Sequence, residues 1–203
     1  MFSQFSIGRK ISLGFTVVIL STIIAFFITN NTFVDSRKIN EEITKNHNPS
    51  IAKLEELKLM IVRSKMLINN WAYQESPAEN EDKVTLRRLK SAEYPELKAQ
   101  LENLALNWED PAKNSIQILY MDIEQLWSLH DFIQQTLSGI ESYNDAFSKF
   151  SSQSMVEEGG DIDRQTDQII EVLNDLIDFK KERTNEITAQ MLTQFQVVQT
   201  IIQ

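Results

Sequence analysis

Two histidines, His47 and His130, and an arginine set among apolar neighbours, Arg63, are the residues of this chain whose types and settings could do chemistry. A histidine pair on one helix face can hold a metal, but these two stand 83 positions apart on different predicted helices, and no HExxH occurs. No Glu-x-x-His pair of the di-iron bundle type is present either. A b-type haem on His130 would need a second ligand at the same depth. With no cysteine in the sequence, thiolate metal sites, disulfides and covalent c-type haem are excluded together. There is no phosphate-cradling glycine loop and no G-x-S-x-G elbow, so no enzyme is expected and no cofactor. Most carboxylates fall on polar faces, where solvation explains them.

His130 and Asn144 both fall in the apolar phase of one predicted helix. Single polar residues in such a seam fix register or make a buried hydrogen bond, at some cost in stability. Arg63 belongs to a different pattern. Leu59, Arg63, Met66, Asn70 and Tyr73 recur at four-three spacing, and Arg63 lies about 200° round the helix from Ile61 at roughly 100° per residue. A face opposite the core that still carries Leu, Met and Tyr is a candidate contact for a second helix. The plain alternative is that Arg63 snorkels over its neighbours into water.

The elements that position these residues are legible because breakers are few: five glycines and four prolines in 203 residues. Pro77 ends one helix, Asp110 and Pro111 suit the N-cap and first position of another, and Gly159–Gly160 closes that one. Four helices follow, over about 10–75, 78–107, 111–152 and 161–203. Pro49 predicts a kink near Lys45 to Asn48, and Pro95 a break near Ala92 to Tyr94. The first helix has a core stripe of Leu54, Leu57, Ile61, Ser64, Ile68 and Trp71, and the second has Leu86, Leu89, Leu97, Leu101 and Leu104. In the third, Ile116, Leu119, Ile123, Leu126, His130, Ile133, Leu137, Ile140, Asn144 and Phe147 keep a three-four spacing. The fourth is looser: Ile169, Leu173, Leu176, Ile187, Met191, Phe195, Val198 and Ile202, with Arg183 interrupting.

Ile11 to Val34 carries no charge and would span about 36 Å as a helix, enough for a hydrocarbon layer of roughly 30 Å. A retained anchor fits better than a cleaved signal, whose apolar run is shorter and is followed by a small-residue site, or than a buried helix. Residues 1–10 then form a cytoplasmic stub. Orientation is not set by charge, because Arg9 and Lys10 precede the span while Arg37, Lys38 and Lys45 follow it. Removing Arg9 and Lys10 from the 20 basic residues leaves 18 against 29 acidic ones, a formal charge of −11 beyond the anchor. That sign argues against a nucleic-acid partner and against flat docking on anionic lipid.

Long amphipathic helices with short connections predict an all-α, antiparallel up-down-up-down four-helix bundle whose first helix continues the membrane span. From Asp35 to Tyr73 that helix rises roughly 57 Å, and from Asp161 to Gln203 the fourth descends roughly 63 Å. The expectation is that the chain returns to the bilayer and that a second membrane helix follows Gln203.

FSIGRKISLGFTVVILSTIIAFF, leading into NHNPSIAKLEELKLMIVRSKMLINNW, resembles the N-terminal region of bacterial transmembrane receptors with the four-helix-bundle sensor domain of methyl-accepting chemotaxis proteins. EYPELKAQLENLALNW is similar to the variant that precedes sensor histidine kinases. The resemblance implies an extracytoplasmic sensor domain over residues 35–203, dimeric through the first helix, so that Leu59, Met66 and Tyr73 become dimer contacts. It also implies that a small anionic ligand can be clasped there by Arg63, with Asn70 and with Thr166 or Arg183 of the fourth helix. Signalling would then be a shift of the fourth helix by about 1–2 Å. The rival expectation is a membrane-anchored interaction or assembly module that transmits nothing.

Overall fold

The structure is a computed structural model that describes residues 7–202, leaving aside the side chains at 10, 201 and 202. The first six residues of the predicted stub, the Ile202 side chain and Gln203 lie outside the described residues. The chain is all-helical, with no strand among the described residues. In order it forms α1 (Ile7–Glu42), a π turn (Ile43–His47), α2 (Asn48–Tyr73), α3 (Glu81–Arg88), a second π turn (Leu89–Glu93), α4 (Tyr94–Ala105), α5 (Asp110–Thr136), a 3₁₀ turn (Ile140–Asn144), α6 (Ala146–Val156) and α7 (Asp161–Ile202).

Both predicted kinks take one form. Proline has no N–H to donate and its ring crowds the carbonyl four residues back, so the turn before Pro49 and the turn before Pro95 each widen into a π turn. The helices resume with those prolines in their first turns.

Two compact units result, one formed by 1–45 with 183–203 and the other by 46–182. In the first, α1 is long and apolar enough to cross a membrane. Phe15 and Phe26 are each 66% exposed, the opposite of a helix in a soluble core. The hydroxyls of Thr16 and Thr22 donate to carbonyls four residues back, so these polar atoms are satisfied without water. Past the apolar stretch come ordinary surface pairs, Lys38 with Asp35 and Arg37 and Lys45 with Glu41. The end of α7 lies alongside α1, and Ile28, Asn31, Thr32 and Asp35 share a groove with Thr193, Gln194, Val197 and Val198.

In the second unit the predicted stripes of the first two helices are buried, Leu104 only in part. Lys65 on α2 pairs with Asp163 and Asp167, Lys58 donates to Asn174, and Lys181 pairs with Glu55. Positions rising along α2 therefore meet positions falling along α7. Likewise Lys90 and Lys98 reach Asp131 and Glu124 of α5.

The third predicted helix is where the expectation fails. It is not continuous over 111–152: α5 stops at Thr136, and the chain crosses Ser138–Gly139 into the 3₁₀ turn. Asp145 then caps α6, accepting from the Phe147 and Ser148 N–H groups. Its carboxyl is held below the usual range by the Ser148 hydroxyl and these amides. The apolar phase accordingly holds from Ile116 to Leu137 and then lapses, with Ile140 54% and Phe147 79% exposed and Asn144 also outside the core. Tyr143 is buried in their place. At the start of α5 the N-cap is Glu109 and Asp110 is already helical, one position from expectation.

Gly159 has φ of 77°, a left-handed conformation that favours glycine. A Cβ on Gly160 would stand 2.5 Å from the Ser154 and Met155 carbonyl oxygens, so the pair permits the tight turn into α7. The Gly159 N–H donates to Asp163, whose pKa is lowered by the Lys65 ammonium and, to a smaller extent, by this bond.

Candidate functional site

Leu59, Arg63 and Met66 lie on the open face of α2, with Leu59 70% and Met66 55% exposed. Tyr73 continues this face and its hydroxyl donates to Glu157. Arg63 makes no ion pair among the described residues. It borders a shallow groove with Leu59, Met60 and Leu89, whose other polar lining is the carboxylates of Glu56 and Glu93. Asn70 is half-buried and its amide donates to Asp82 at 2.7 Å.

The remaining two predicted ligand residues are placed differently. Thr166 is wholly buried and its hydroxyl donates to the Ile162 carbonyl within α7. It therefore cannot reach a ligand on the open face of α2. Arg183 belongs to the other compact unit, where it pairs with Glu186 at 3.1 Å. Within the 46–182 unit, then, Arg63 stands on the apolar stripe without the other three gathered round it.

His130 is in the core, as its phase predicts, but makes no hydrogen bond: both ring nitrogens are buried without a partner. The ring lies edge-on to Trp127 at 5.3 Å. Burial, with a smaller contribution from the Lys90 charge, pushes its pKa down to about 3, so it is a neutral imidazole at any ordinary pH. Among the described residues no cluster of His, Asp and Glu is arranged to hold a metal ion.

Among the described residues two lysines, Lys83 and Lys180, are almost wholly buried, and sequence reasoning missed both. Lys83 donates to the Ser76 carbonyl at 2.7 Å, with its ammonium 4.9 Å from the ring centres of both Trp71 and Tyr143. Burial and the neighbouring Arg87 lower its pKa. The Trp71 indole N–H donates to the Leu137 carbonyl, and the Tyr143 hydroxyl to the Trp71 carbonyl. These bonds tie the 74–80 loop, α2 and the end of α5 together.

Lys180 lies 4.3 Å over the ring of Trp108. The Trp108 indole donates to the Ser50 hydroxyl at 2.9 Å, which donates to the Asn46 carbonyl, and the Asn46 amide reaches the Leu104 carbonyl. One cluster thus joins the start of α2, the α4–α5 connection and α7. Burial brings Lys180 down to about 8, with Glu109 opposing the shift and Lys113 adding to it. A lysine at helical spacing beside a tryptophan 72 positions away leaves no local pattern. The only available signal was that Lys83 and Lys180 share the apolar phases of Leu86 and Leu176. No family model, curated protein or solved structure matches this chain.

Proposed function

We propose that this chain is the stimulus-sensing input part of a bacterial transmembrane signalling receptor of the chemoreceptor or sensor-kinase type. In this reading α1 crosses the inner membrane over residues 11–34 from a cytoplasmic stub. Residues 35–203 stand outside as an up-down-up-down four-helix bundle, and α7 brings the chain back to the bilayer. Two copies pack in parallel through the open face of α2, and no residue acts as a catalyst. A stimulus that favours one packing of α2 against α7 over another shifts α7 by about 1–2 Å, which requires only differential affinity for the two packings.

The observation that carries this reading is the groove shared by Ile28 to Asp35 of α1 and Thr193 to Val198 of α7. An element that returns to the side of the anchor can carry a displacement back to the membrane. Support also comes from the opposite running order of the ion pairs between α2 and α7. The apolar stripe Leu59, Met66 and Tyr73 gives a second copy something to cover. An anionic ligand at that contact would depend on Arg63, with Asn70 as a further donor on α2; Thr166 would not take part.

The test joins residues 1–203 to the second membrane span and kinase-control module of a receptor with a measurable output. A disulfide between Thr32→Cys and Val197→Cys should lock that output in one state, and reduction should release it. An output indifferent to the lock, and to single-residue insertions between Glu186 and Gln190, would defeat the proposal. Glu141→Cys should be labelled from outside intact cells by an impermeant thiol reagent. Met66→Cys should give a disulfide-linked dimer in membranes, and the buried Thr166→Cys should not.

A further inference from the structure

The polar groups that a signalling bundle leaves unused concentrate between the second π turn and the second half of α5. The Trp127 indole N–H, both His130 nitrogens and the Gln134 amide nitrogen are buried there without a hydrogen-bond partner. Gln134 lines a groove of about 460 Å³ whose other walls are Arg87, Lys90, Ser91 and Asp131. Its chemistry runs against the rest of the chain. Two cations face one carboxylate in a protein of formal charge −9.

Donors remain available in this groove. Arg87 bonds the Ala78 carbonyl through one guanidinium nitrogen, whereas a guanidinium offers five N–H donors. The Lys90 ammonium uses two of its three, on the Trp127 carbonyl and on Asp131. The Ser91 side chain is exposed at the rim and the buried Gln134 N–H lacks an acceptor. Lys90 and Ser91 are both positioned by the π turn that precedes Pro95.

We propose that this groove binds a small monocarboxylate, taken by Lys90 and Arg87 and hydrogen-bonded by Gln134 and Ser91. The half-exposed Asp131 carboxylate now sits on Lys90 where the ligand's carboxylate would go, and so competes with it. One net positive charge suits a single negative charge. A phosphate, with close to two, would leave charge uncompensated beside Asp131. The site lies wholly within α3, the π turn and α5 of one chain, so it does not depend on a dimer or on signal output.

Tryptophan fluorescence can read it, because Lys90 lies 5.8 Å from the Trp127 ring centre and Arg87 5.6 Å from that of Trp71. The full chain in lipid nanodiscs, carrying Trp108→Phe, is titrated with propionate, lactate and inorganic phosphate at constant ionic strength, to about 10 mM. A carboxylate should give a saturable change that phosphate does not. Lys90→Met should weaken it by about tenfold or more, and Asp131→Asn should tighten it severalfold. Ser91→Asp places a like charge at the rim without touching the core, and should abolish the response with an unchanged circular dichroism spectrum. No saturable change, an unchanged titration in Ser91→Asp, or phosphate binding as tightly as the carboxylates would overturn the proposal. A silent titration would leave the receptor reading standing, and a chimera without output would leave the groove standing.

Discussion

The 46–182 unit carries the same device twice, a lysine buried over a tryptophan whose indole N–H bonds another helix, and the two copies are built differently. Around Trp71 the acceptors are main-chain carbonyls, those of Leu137 for the indole, Trp71 for Tyr143 and Ser76 for Lys83. Around Trp108 the indole bonds a side-chain hydroxyl, which passes the bond on to Asn46, and the lysine titrates near pH 8. Main-chain acceptors move only with the backbone, whereas a hydroxyl relay can break by a rotamer change. The contrast predicts that the Trp71 end is a fixed joint and that the Trp108 end, which includes Asn46 at the boundary of this unit, is the adjustable one.

The largest effect should come from breaking the fixed joint. Trp71→Ala removes a nearly fully buried indole, its bond to Leu137 and the surface under Lys83, and should cost about 3–5 kcal/mol in urea unfolding. A loss below about 1 kcal/mol would mean that this end is no more fixed than the other.

Swapping each lysine for methionine sharpens the comparison, because the signs should differ. Lys83→Met leaves the Ser76 carbonyl without its donor and should destabilise by about 1–3 kcal/mol. Lys180→Met removes a charge that burial disfavours by more than Glu109 supports it, and should raise stability at pH 7 by about 1–3 kcal/mol. Chemical denaturation of both variants at pH 7 decides it, and equal signs would erase the distinction.

The core was readable from sequence where one helix keeps one period. Leu54 to Trp71 and Ile116 to Leu137 are apolar every third or fourth residue, Ser64 and His130 excepted, because one face meets the interior along the whole length. The break after Leu137 was not readable. Ile140, Asn144 and Phe147 keep the phase although Gly139 and Asp145 interrupt the helix, and a Gly and an Asp each also occur inside helices. The candidate site was half legible. Leu59, Arg63 and Met66 fall on an open face, as period alone requires. Thr166 falls in step with the buried Ile162 and Ile169, a phase that the resemblance setting it beside a ligand does not weigh. The pairings of Lys180 with Trp108 and of Lys90 with Asp131 span tens of residues, and periodicity within one helix carries no information about them.

Titration separates the adjustable end from the rest. In the unfolded chain Lys180 has the ordinary value of 10.5, and in the fold about 8. Between these the unfolded state binds more protons, so stability should rise with pH from about 8 to 10.5, by at most about 1.4 kcal/mol per unit, and Lys180→Met should flatten the rise. His130 gives an internal control on the acid side. Its value falls from 6.5 to about 3, the unfolded state again binds more protons in that window, and stability should therefore fall as pH drops below 6.5. His130→Leu should remove the slope down to about pH 4, below which Asp145 and Asp163 still contribute, while leaving the alkaline rise intact. A Lys180→Met protein that keeps its alkaline rise would assign the rise to another group.

The smallest effect isolates the relay itself. Trp108→Phe removes the indole N–H from the bond to Ser50 together with part of the ring, and Ser50→Ala removes the hydroxyl that links it to Asn46. Each should cost about 0.5–1.5 kcal/mol, and together less than their sum, because they break one bond from its two sides. A double-mutant cycle with a coupling near zero would mean that Trp108 holds this end through its ring alone, over which Lys180 lies. The hydroxyl would then carry no strain between α2 and the α4–α5 connection, and adjustment at this end would rest on the lysine.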